Sequence, residues 1–191
     1  MKLIIASNNK HKIYEIKKIL GTRFEPILSM SEAGISHETV EDGETFAENA
    51  LKKAREIAAI SGSAALADDS GICVNALGGA PGVYSARFSG EHGDDEANNR
   101  LLLERLLPME DKSAYYACAM ALVYPDGKEL LAEGYMHGSI TENRRGERGF
   151  GYDPLFVPTG ETRTVAEMTD EEKNAISHRA KALALLLEKL G

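Results

Sequence analysis

Ala65-Leu66-Ala67-Asp68-Asp69-Ser70-Gly71 places two adjacent carboxylates directly after a run of small apolar residues. The apolar run is typical of a packed interior strand, and the polar residues after it predict a turn. An unpaired buried carboxylate is costly, so Asp68 and Asp69 are expected to meet water, a cation or a hydrogen-bond donor. Carboxylate oxygens in this position suit Mg²⁺, which is often held by carboxylates and substrate phosphates. The alternative is an ordinary turn in which Asp68 caps the next segment.

Composition limits the class of protein. The chain has 191 residues, 43% of them hydrophobic, which is enough for one sizeable domain or two lobes with a shared core. The net charge of −8 argues against general nucleic-acid binding but allows a small anion in a locally basic pocket. The start has no long apolar signal segment, and no apolar run approaches the ~20 residues of a membrane-spanning helix. We expect a cytoplasmic protein without nucleic-acid or membrane partners, in which Cys73 and Cys118 are buried free thiols.

The start of the chain predicts a strand, a polar loop and a helix. The break Ser7-Asn8-Asn9 separates an apolar run from a helical pattern that begins at Lys10. Ser7 or Asn8 is expected to cap this helix, and the N–H groups at its start, with Lys10 and Lys12, favour an anion. The alternative is a capped surface helix with solvated lysines.

An acidic run precedes the second predicted helix. Residues 22–44 have an irregular pattern and end in the acidic segment 41–44. Thr45 and Glu48 have the spacing of a capping box, which predicts a helix to about residue 60. One carboxylate of the acidic run can reach the same cation as Asp69, or the run only complements the helix dipole.

A hairpin signal decides the type of sheet. Two strand-like segments, 114–124 and 129–137, are joined by Pro125-Asp126-Gly127-Lys128. A hairpin within an otherwise alternating order of strands and helices predicts an α/β protein with a mixed sheet.

Two later segments are candidates for binding a flat, anionic ligand. In Gly149-Phe150-Gly151-Tyr152-Asp153, glycines let the backbone approach a ring, aromatics offer stacking faces, and Asp153 can accept ring N–H groups. Ser177-His178-Arg179 opens the last predicted helix, where two cations are best stabilised by a nearby anion. The alternatives are a tight turn with core aromatics and a helix start that points into solvent.

These groups complement one another. A phosphate chain, a hard cation and a base make up a nucleotide, so a nucleotide is the predicted ligand. Neither cysteine neighbours a histidine and no nucleophile elbow is present, so attack by an activated water is the simplest chemistry. The anion-binding candidates are the segment from Ser7 to Lys12, Lys173 and Arg179; the cation-binding candidates are Asp68, Asp69 and an upstream glutamate; the ring-binding candidates are Phe150, Tyr152, Asp153 and His178.

The chain resembles the noncanonical purine nucleoside triphosphate pyrophosphatase family, also called the inosine triphosphatase or Ham1-like family. The resemblance extends over the whole chain in order. Its motifs are Ser7-x-Asn9-x-x-Lys12, Phe46-x-Glu48-Asn49-Ala50, Ala67-Asp68-Asp69-Ser70-Gly71, Leu77-Gly78-Gly79-x-Pro81-Gly82-Val83-Tyr84-Ser85-Ala86-Arg87, Gly149-Phe150-Gly151-Tyr152-Asp153-Pro154 and Ser177-His178-Arg179.

The resemblance implies Mg²⁺-dependent hydrolysis of ITP, dITP and XTP to the monophosphate and pyrophosphate, which cleanses the nucleotide pool. It also implies a mixed α/β fold with two lobes around a central cleft, formed by residues 1–191 as one domain, and a homodimer. Asp69 would be the general base and a metal ligand, Glu41 the second ligand, and Asp68 a supporting one. The substrate contacts implied are Ser7, Asn8, Asn9, Lys10, His11, Lys12 and Lys173 at the triphosphate, and Ser70, Phe150, Gly151, Tyr152, Asp153, His178 and Arg179 at the nucleoside and base.

Two positions depart from the family pattern. Asn75 stands where the family is expected to have Asp, and Arg148 stands where a small or neutral residue is usual. Two other functions remain alternatives: a Maf-like pyrophosphatase with a different base preference, and a nucleotide-binding regulator without turnover.

Overall fold

The computed structural model describes residues 1–190, and Gly191 lies outside the described residues. Three short 3₁₀ segments, Asn75–Leu77, Gly82–Arg87 and Val165–Glu167, connect the main elements. The strands are β1 (Leu3–Ile5), β2 (Ile27–Ser29), β3 (Ala64–Val74), β4 (Ser113–Val123), β5 (Glu129–Ile140) and β6 (Phe156–Pro158); the helices are α1 (Lys10–Leu20), α2 (Phe46–Ser61), α3 (Asp95–Leu106), α4 (Asp170–Ile176) and α5 (His178–Glu188).

The strands form one mixed sheet in the order β2-β1-β3-β4-β5-β6. β1 pairs in parallel with both β2 and β3, so that Ile4 lies opposite Leu28 on one side and Ala65 on the other. β5 and β6 pair antiparallel, with Ser139 opposite Val157. The predicted α/β class with a mixed sheet is confirmed. Among residues 1–190, no helix is long and apolar enough to cross a membrane.

The chain divides into two compact units, each of which contains its own hydrophobic core. The first unit comprises Met1–Asp69, Cys118–Gly134 and Arg179–Gly191, and the second comprises Ser70–Ala117 and Tyr135–His178. The predicted single two-lobed domain over residues 1–191 stays a prediction.

The first unit packs apolar side chains on both faces of its strands. Side chains alternate along a strand, so Leu66 of β3 packs in a cluster with Ile16 of α1 and Leu183 of α5. Ala67, one position later, packs in a second cluster with Ala54 of α2. Over residues 64–67, one face of β3 is therefore covered by α1 and α5, and the other by α2.

The second unit is built around an aromatic core. Tyr116 of β4, Phe156 of β6 and Tyr152 are buried in one cluster with Leu102 of α3 and Ile72 of β3. The rings of Tyr116 and Phe156 lie 4.7 Å apart, centroid to centroid. This core places the segment around residue 152 against α3.

Several predicted boundaries are confirmed. The helix from Lys10 ends at Leu20, the second helix carries the complete capping box of Thr45 and Glu48, and the hairpin turns through residues 124–128. The three-residue strands β2 and β6 were not predicted, because segments this short carry no periodicity that distinguishes a strand from a loop.

The predicted turn at Asp68–Gly71 is wrong, because β3 continues unbroken from Ala64 to Val74. Asp68 and Asp69 remain buried in the strand because charged and amide partners from the helices meet them there. Gly71 is needed for packing rather than for a turn, since a Cβ at this position would lie 2.3 Å from the Ser85 hydroxyl oxygen.

Candidate active site

Asp68 and Asp69 occupy consecutive positions of β3, so their side chains project to opposite faces of the sheet. Asp68 shares the face of Leu66, which α1 and α5 cover. Asp69 shares the face of Ala67, which α2 covers. The two carboxylates are thus neighbours in sequence but have entirely different surroundings.

Asp68 lies in a buried network of charges. Its Oδ2 accepts hydrogen bonds from Arg179 Nε at 3.2 Å and Nη2 at 3.0 Å, and Lys12 Nζ lies 3.0 Å from the same oxygen. Arg179 also pairs with Glu15 through its other terminal nitrogen. Burial raises the pKa of Asp68, but Lys12 and Arg179 lower it by more, so the pKa lies below its usual value. Asp68 is therefore a fixed negative charge at neutral pH.

Asp69 lies among weaker partners. Asn49 Nδ2 donates a hydrogen bond of 3.0 Å to Asp69 Oδ2, and Lys53 Nζ lies 3.6 Å from Oδ1. Burial has the largest effect on the pKa of Asp69 and raises it. Together with the nearby negative charge of Glu41 it outweighs the lowering by Lys53 and Lys12, so the pKa lies above its usual value. Adjacent carboxyl groups with pKa values shifted in opposite directions are typical of sites in which one carboxylate is a fixed charge and the other accepts a proton.

Glu41 is joined to Asp69 by two residues of α2. Lys53 Nζ lies 2.7 Å from Glu41 Oε1, which places its ammonium group between the two carboxylates. Asn49, whose Nδ2 holds Asp69, accepts the N–H of Gly43 at its Oδ1, 2.8 Å away. One buried amide thereby holds both Asp69 and the loop that carries Glu41.

The predicted metal ligands fit a magnesium ion by their chemistry. Glu41 and Asp69 offer hard carboxylate oxygens, and the Lys53 ammonium between them marks a position where positive charge is stabilised. Residues 1–190 contain no cluster of three or more His, Cys, Asp or Glu side chains that could hold a metal ion. Mg²⁺ is usually bound by one or two carboxylates together with substrate phosphates and waters.

The opening loop of the first unit is ordered by its own side chains. Ser7 Oγ accepts the N–H of Asn9 at 3.1 Å, and Asn9 Oδ1 accepts the N–H groups of His11 and Lys12 at 3.0 and 3.2 Å. The cap of α1 is therefore Asn9, and the prediction of Ser7 or Asn8 is wrong, because Asn9 is the residue whose oxygen reaches both N–H groups. Asn8, Asn9, Lys10 and His11 are exposed.

The second unit holds the predicted ring-binding residues around the buried carboxylate of Asp153. Asp153 Oδ2 accepts the N–H of Phe150 at 3.0 Å and lies 2.8 Å from Lys173 Nζ. Asp153 Oδ1 accepts the hydroxyl of Tyr116 at 3.2 Å. The Lys173 ammonium also lies 4.7 Å from the centroid of the Phe150 ring, which is cation–π distance.

Other contacts fix the loop that contains these residues. The Tyr152 hydroxyl donates to the carbonyl of Ser85 at 2.8 Å. The N–H of Gly151 donates to Asp95 Oδ2 at 2.7 Å, and its carbonyl accepts from Asn99 Nδ2 at 3.0 Å. The N–H and the carbonyl of Gly151 are therefore both held by side chains of α3. Elsewhere in the same unit, His178 stacks parallel on Tyr116 with ring centroids 4.7 Å apart.

The structure brings most predicted residues into two groups, one in each unit. In the first, Lys12, Asp68 and Arg179 are in direct contact, and Lys53 joins Glu41 to Asp69. In the second, Phe150, Asp153 and Lys173 are in direct contact, and Tyr116 joins His178 to Asp153. Ser70 is the one partly exposed residue of β3. Asn75, which departs from the family pattern, donates a hydrogen bond of 2.8 Å to Ser113 Oγ.

Sequence reasoning missed Glu15, Asn49, Lys53 and Tyr116. Asn49 and Lys53 had a detectable signal, since they stand four residues apart and place polar groups on one side of a helix. The sequence contains no signal that marks Tyr116, because an aromatic residue within an apolar strand is common in any protein core.

Gly149 has a steric role at this site that can be tested. Its φ is +75°, and a Cβ there would lie 2.1 Å from Asp153 Oδ2. Gly149→Ala is expected to lower the free energy of unfolding by more than the ~1–2 kcal/mol cost of a left-handed alanine, because the Asp153 carboxylate must also move. Gly160→Ala is the matched control, since Gly160 has φ +86° but nothing within 4 Å of the added Cβ. Equal losses in thermal denaturation of the two variants would contradict the steric role.

The mixed sheet and the two groups of buried charged side chains define an α/β protein with one such group in each of its two units. Among known proteins, the model of the Ham1 family matches residues 3–189. A dITP/XTP pyrophosphatase from Geobacter sulfurreducens is 50% identical over 192 residues, which cover 100% of this chain and 96% of that protein. A dITP/XTP pyrophosphatase from Clostridium perfringens is 49% identical over 197 residues, covering 99% and 97%.

A solved structure is similar over the same extent. The Staphylococcus aureus Ham1 protein matches with a TM-score of 0.90 at 38% identity, covering 100% of this chain and 98% of that one. The chain belongs to the Ham1 family.

Proposed function

We propose that this protein hydrolyses the noncanonical purine nucleoside triphosphates dITP, ITP and XTP to the monophosphate and pyrophosphate. The observation that carries the proposal is the group formed by Asp69, Glu41 and Lys53, in which a proton acceptor lies beside a second carboxylate and a fixed cation. It is supported by relatives named dITP/XTP pyrophosphatase that are about half identical over the full chain.

In the proposed mechanism the first unit carries out the chemistry. Asp69 accepts the proton of a water that attacks the α-phosphate, which suits a carboxyl whose pKa is raised towards the working pH. Bound by Asp69 and Glu41, Mg²⁺ would neutralise charge on the phosphates as pyrophosphate leaves, and Asp68 would support the site only as a fixed negative charge on the other face of β3. Through its two hydrogen bonds, the Asn49 amide fixes the position of Asp69 relative to the loop that carries Glu41.

Basic groups of the first unit are proposed to bind the triphosphate. Lys12 has three N–H donors, so its contact with Asp68 leaves donors for a phosphate. The segment from Ser7 to His11, which is exposed from Asn8 onward, offers side-chain and backbone donors beside the start of α1. Arg179 is buried against Asp68 and Glu15, and we assign it the task of fixing Asp68.

The second unit is proposed to bind the nucleoside and its base. The residues assigned to it are Ser70, Phe150, Gly151, Tyr152, Asp153 and His178. Lys173, beside Asp153 in the same unit, is assigned to the triphosphate. A 6-oxo purine presents an acceptor at O6 and an N–H at N1, whereas adenine presents the reverse pattern. A site whose buried polar groups match the first pattern leaves them unpaired with adenine, which costs orders of magnitude in rate.

We further propose that the enzyme is a cytoplasmic homodimer that uses Mg²⁺ and has no nucleic-acid or membrane partner. The two cysteines are buried free thiols, which suits a reducing compartment. The net charge of −8 is unfavourable for nucleic acid. The dimer rests on the family resemblance.

A steady-state panel tests the function. With Mg²⁺ present, kcat/KM measured by pyrophosphate release is expected to be at least about 100-fold higher for ITP, dITP and XTP than for ATP, because adenine leaves buried polar groups unpaired. GTP and dUTP complete the panel. A preference for dUTP would indicate the Maf-like alternative, and tight nucleotide binding without turnover would indicate a regulator.

A further inference from the structure

Tyr116 is a buried residue of β4 that contacts two of the residues proposed to bind the base. Its hydroxyl donates to Asp153 Oδ1 at 3.2 Å. Its ring stacks on His178 with the two planes 8° apart. The side chain stands on a strand, which is a more rigid support than the loop it contacts.

The hydroxyl completes the set of donors that orients the Asp153 carboxylate. Phe150 N–H and Lys173 both bind Oδ2, so Tyr116 is the donor that fixes the position of Oδ1 and hence the rotation of the carboxylate. Burial raises the pKa of Tyr116 well above its usual value, and the negative charge of Asp153 raises it further. The hydroxyl therefore keeps its proton and remains a donor at every pH at which the protein is used.

The ring fixes the orientation of His178. The imidazole lies flat against the phenol ring, with a centroid distance of 4.7 Å. Phe156, which is fully buried, packs against the Tyr116 ring with the two planes at 57°. The same side chain thus orients a carboxylate and an imidazole that come from different segments of the second unit.

We propose that Tyr116 is a positioning residue for purine-base recognition, which holds Asp153 and His178 in the arrangement that a 6-oxo purine requires. This inference rests on the proposed function, because it takes the second unit to be the part that binds the base. It predicts that the Tyr116 hydroxyl affects the binding of the nucleotide and leaves the attack on the α-phosphate unchanged.

The test compares Tyr116→Phe with Tyr115→Phe. Each substitution removes one phenolic oxygen and leaves a ring on the same strand. Tyr115 is the matched control because its ring contacts Tyr135 and His137, with centroids 6.1 and 5.6 Å away, and its hydroxyl partner is the Cys73 thiol. Because misplacing a binding group by about 1 Å can cost about 100-fold, Y116F is expected to raise KM for ITP roughly 10- to 100-fold. Its kcat is expected to stay within about 3-fold of wild type, and Y115F to match wild type in both constants.

The ratio of kcat/KM for ITP to that for ATP is expected to fall in Y116F and to stay constant in Y115F. A second measurement does not need turnover: inosine monophosphate is expected to raise the melting temperature of wild type and Y115F more than that of Y116F. A Y116F enzyme that matches Y115F, or one that loses kcat at constant KM, would overturn the role of Tyr116 while ITP hydrolysis by the wild type stands. Absence of ITP hydrolysis in the wild type would overturn the proposed function and this inference together.

Discussion

Asp69→Asn is expected to lower kcat for ITP by about 10²- to 10⁴-fold, the usual loss when a general base is removed. Asparagine has nearly the same shape as aspartate and can still bond with Asn49, but it cannot accept a proton from water. KM is expected to change less than kcat, because the basic groups proposed for the triphosphate remain in place. The measurement is pyrophosphate release from ITP with Mg²⁺, together with the melting temperature.

Asp126→Asn is the control for this experiment. Asp126 lies in the hairpin turn, where its Oδ1 accepts the N–H of Lys128 at 2.9 Å, and asparagine can accept the same hydrogen bond. Its kcat is expected to equal that of wild type. If D69N turned over ITP within about 10-fold of wild type, Asp69 would not be the base.

Arg179→Met is expected to destabilise the folded protein by about 3–5 kcal/mol, because it leaves Asp68 and Glu15 buried without the guanidinium that pairs them. For a chain of this length the melting temperature would fall by roughly 6–20 °C. Methionine keeps much of the apolar volume of the side chain, so the loss reports mainly on the charge. Thermal and urea denaturation at pH 7 are the measurements.

Arg55→Met provides the matched surface comparison. Arg55 binds both oxygens of Glu129, at 2.6 and 2.8 Å, but more than half of its side chain is exposed. Exposed pairs contribute about 0–1 kcal/mol, so this variant is expected to lose at most a few degrees. Similar losses in R179M and R55M would refute the view that the Arg179 network stabilises the first unit.

The loss of stability expected for Arg179→Met also depends on pH. The pKa of Asp68 is lowered from its usual value of 3.8, because Lys12 and Arg179 outweigh the effect of burial. A lowered carboxyl pKa stabilises the fold above the unfolded pKa, and this contribution is lost as pH falls through the folded pKa. The stability difference between wild type and R179M is therefore expected to be full at pH 7 and to narrow as the pH falls below about 4. If the stability difference between wild type and R179M stayed constant down to pH 3, the ionised Asp68 would not be its cause.

Much of the fold could be predicted because its signals are local. Caps, glycines and a turn sequence determine the ends of α1, α2 and the hairpin, and these signals depend only on neighbouring residues. β2 and β6 have three residues each and are defined by partners distant in sequence, so no local pattern predicts them. The turn wrongly predicted at Asp68–Gly71 has the same cause, because the partners that neutralise the aspartates lie on other elements.

The residues of the candidate site also divide into those with a local signal in the sequence and those defined by distant partners. Residues with unusual chemistry for their position, such as paired aspartates or glycines around an aromatic, stood out in the sequence. Glu15 and Tyr116 did not, because each has an ordinary place in a helix or strand and gains its role from residues 164 and 37 positions away. Long-range pairing of this kind is a property of the folded chain, and a single sequence does not reveal it.

Because the two aspartates project to opposite faces, their order along β3 decides which one meets Arg179 and which one meets Asn49 and Lys53. Deleting one residue between Ala64 and Ala67 would turn both carboxylates to the opposite faces and place Asp69 where Asp68 now meets the arginine. A two-residue change would return each side chain to its own face but would displace it by two positions along the strand, away from its partners. We therefore expect the upstream half of this strand to tolerate exchanges of side chains far better than changes in its length.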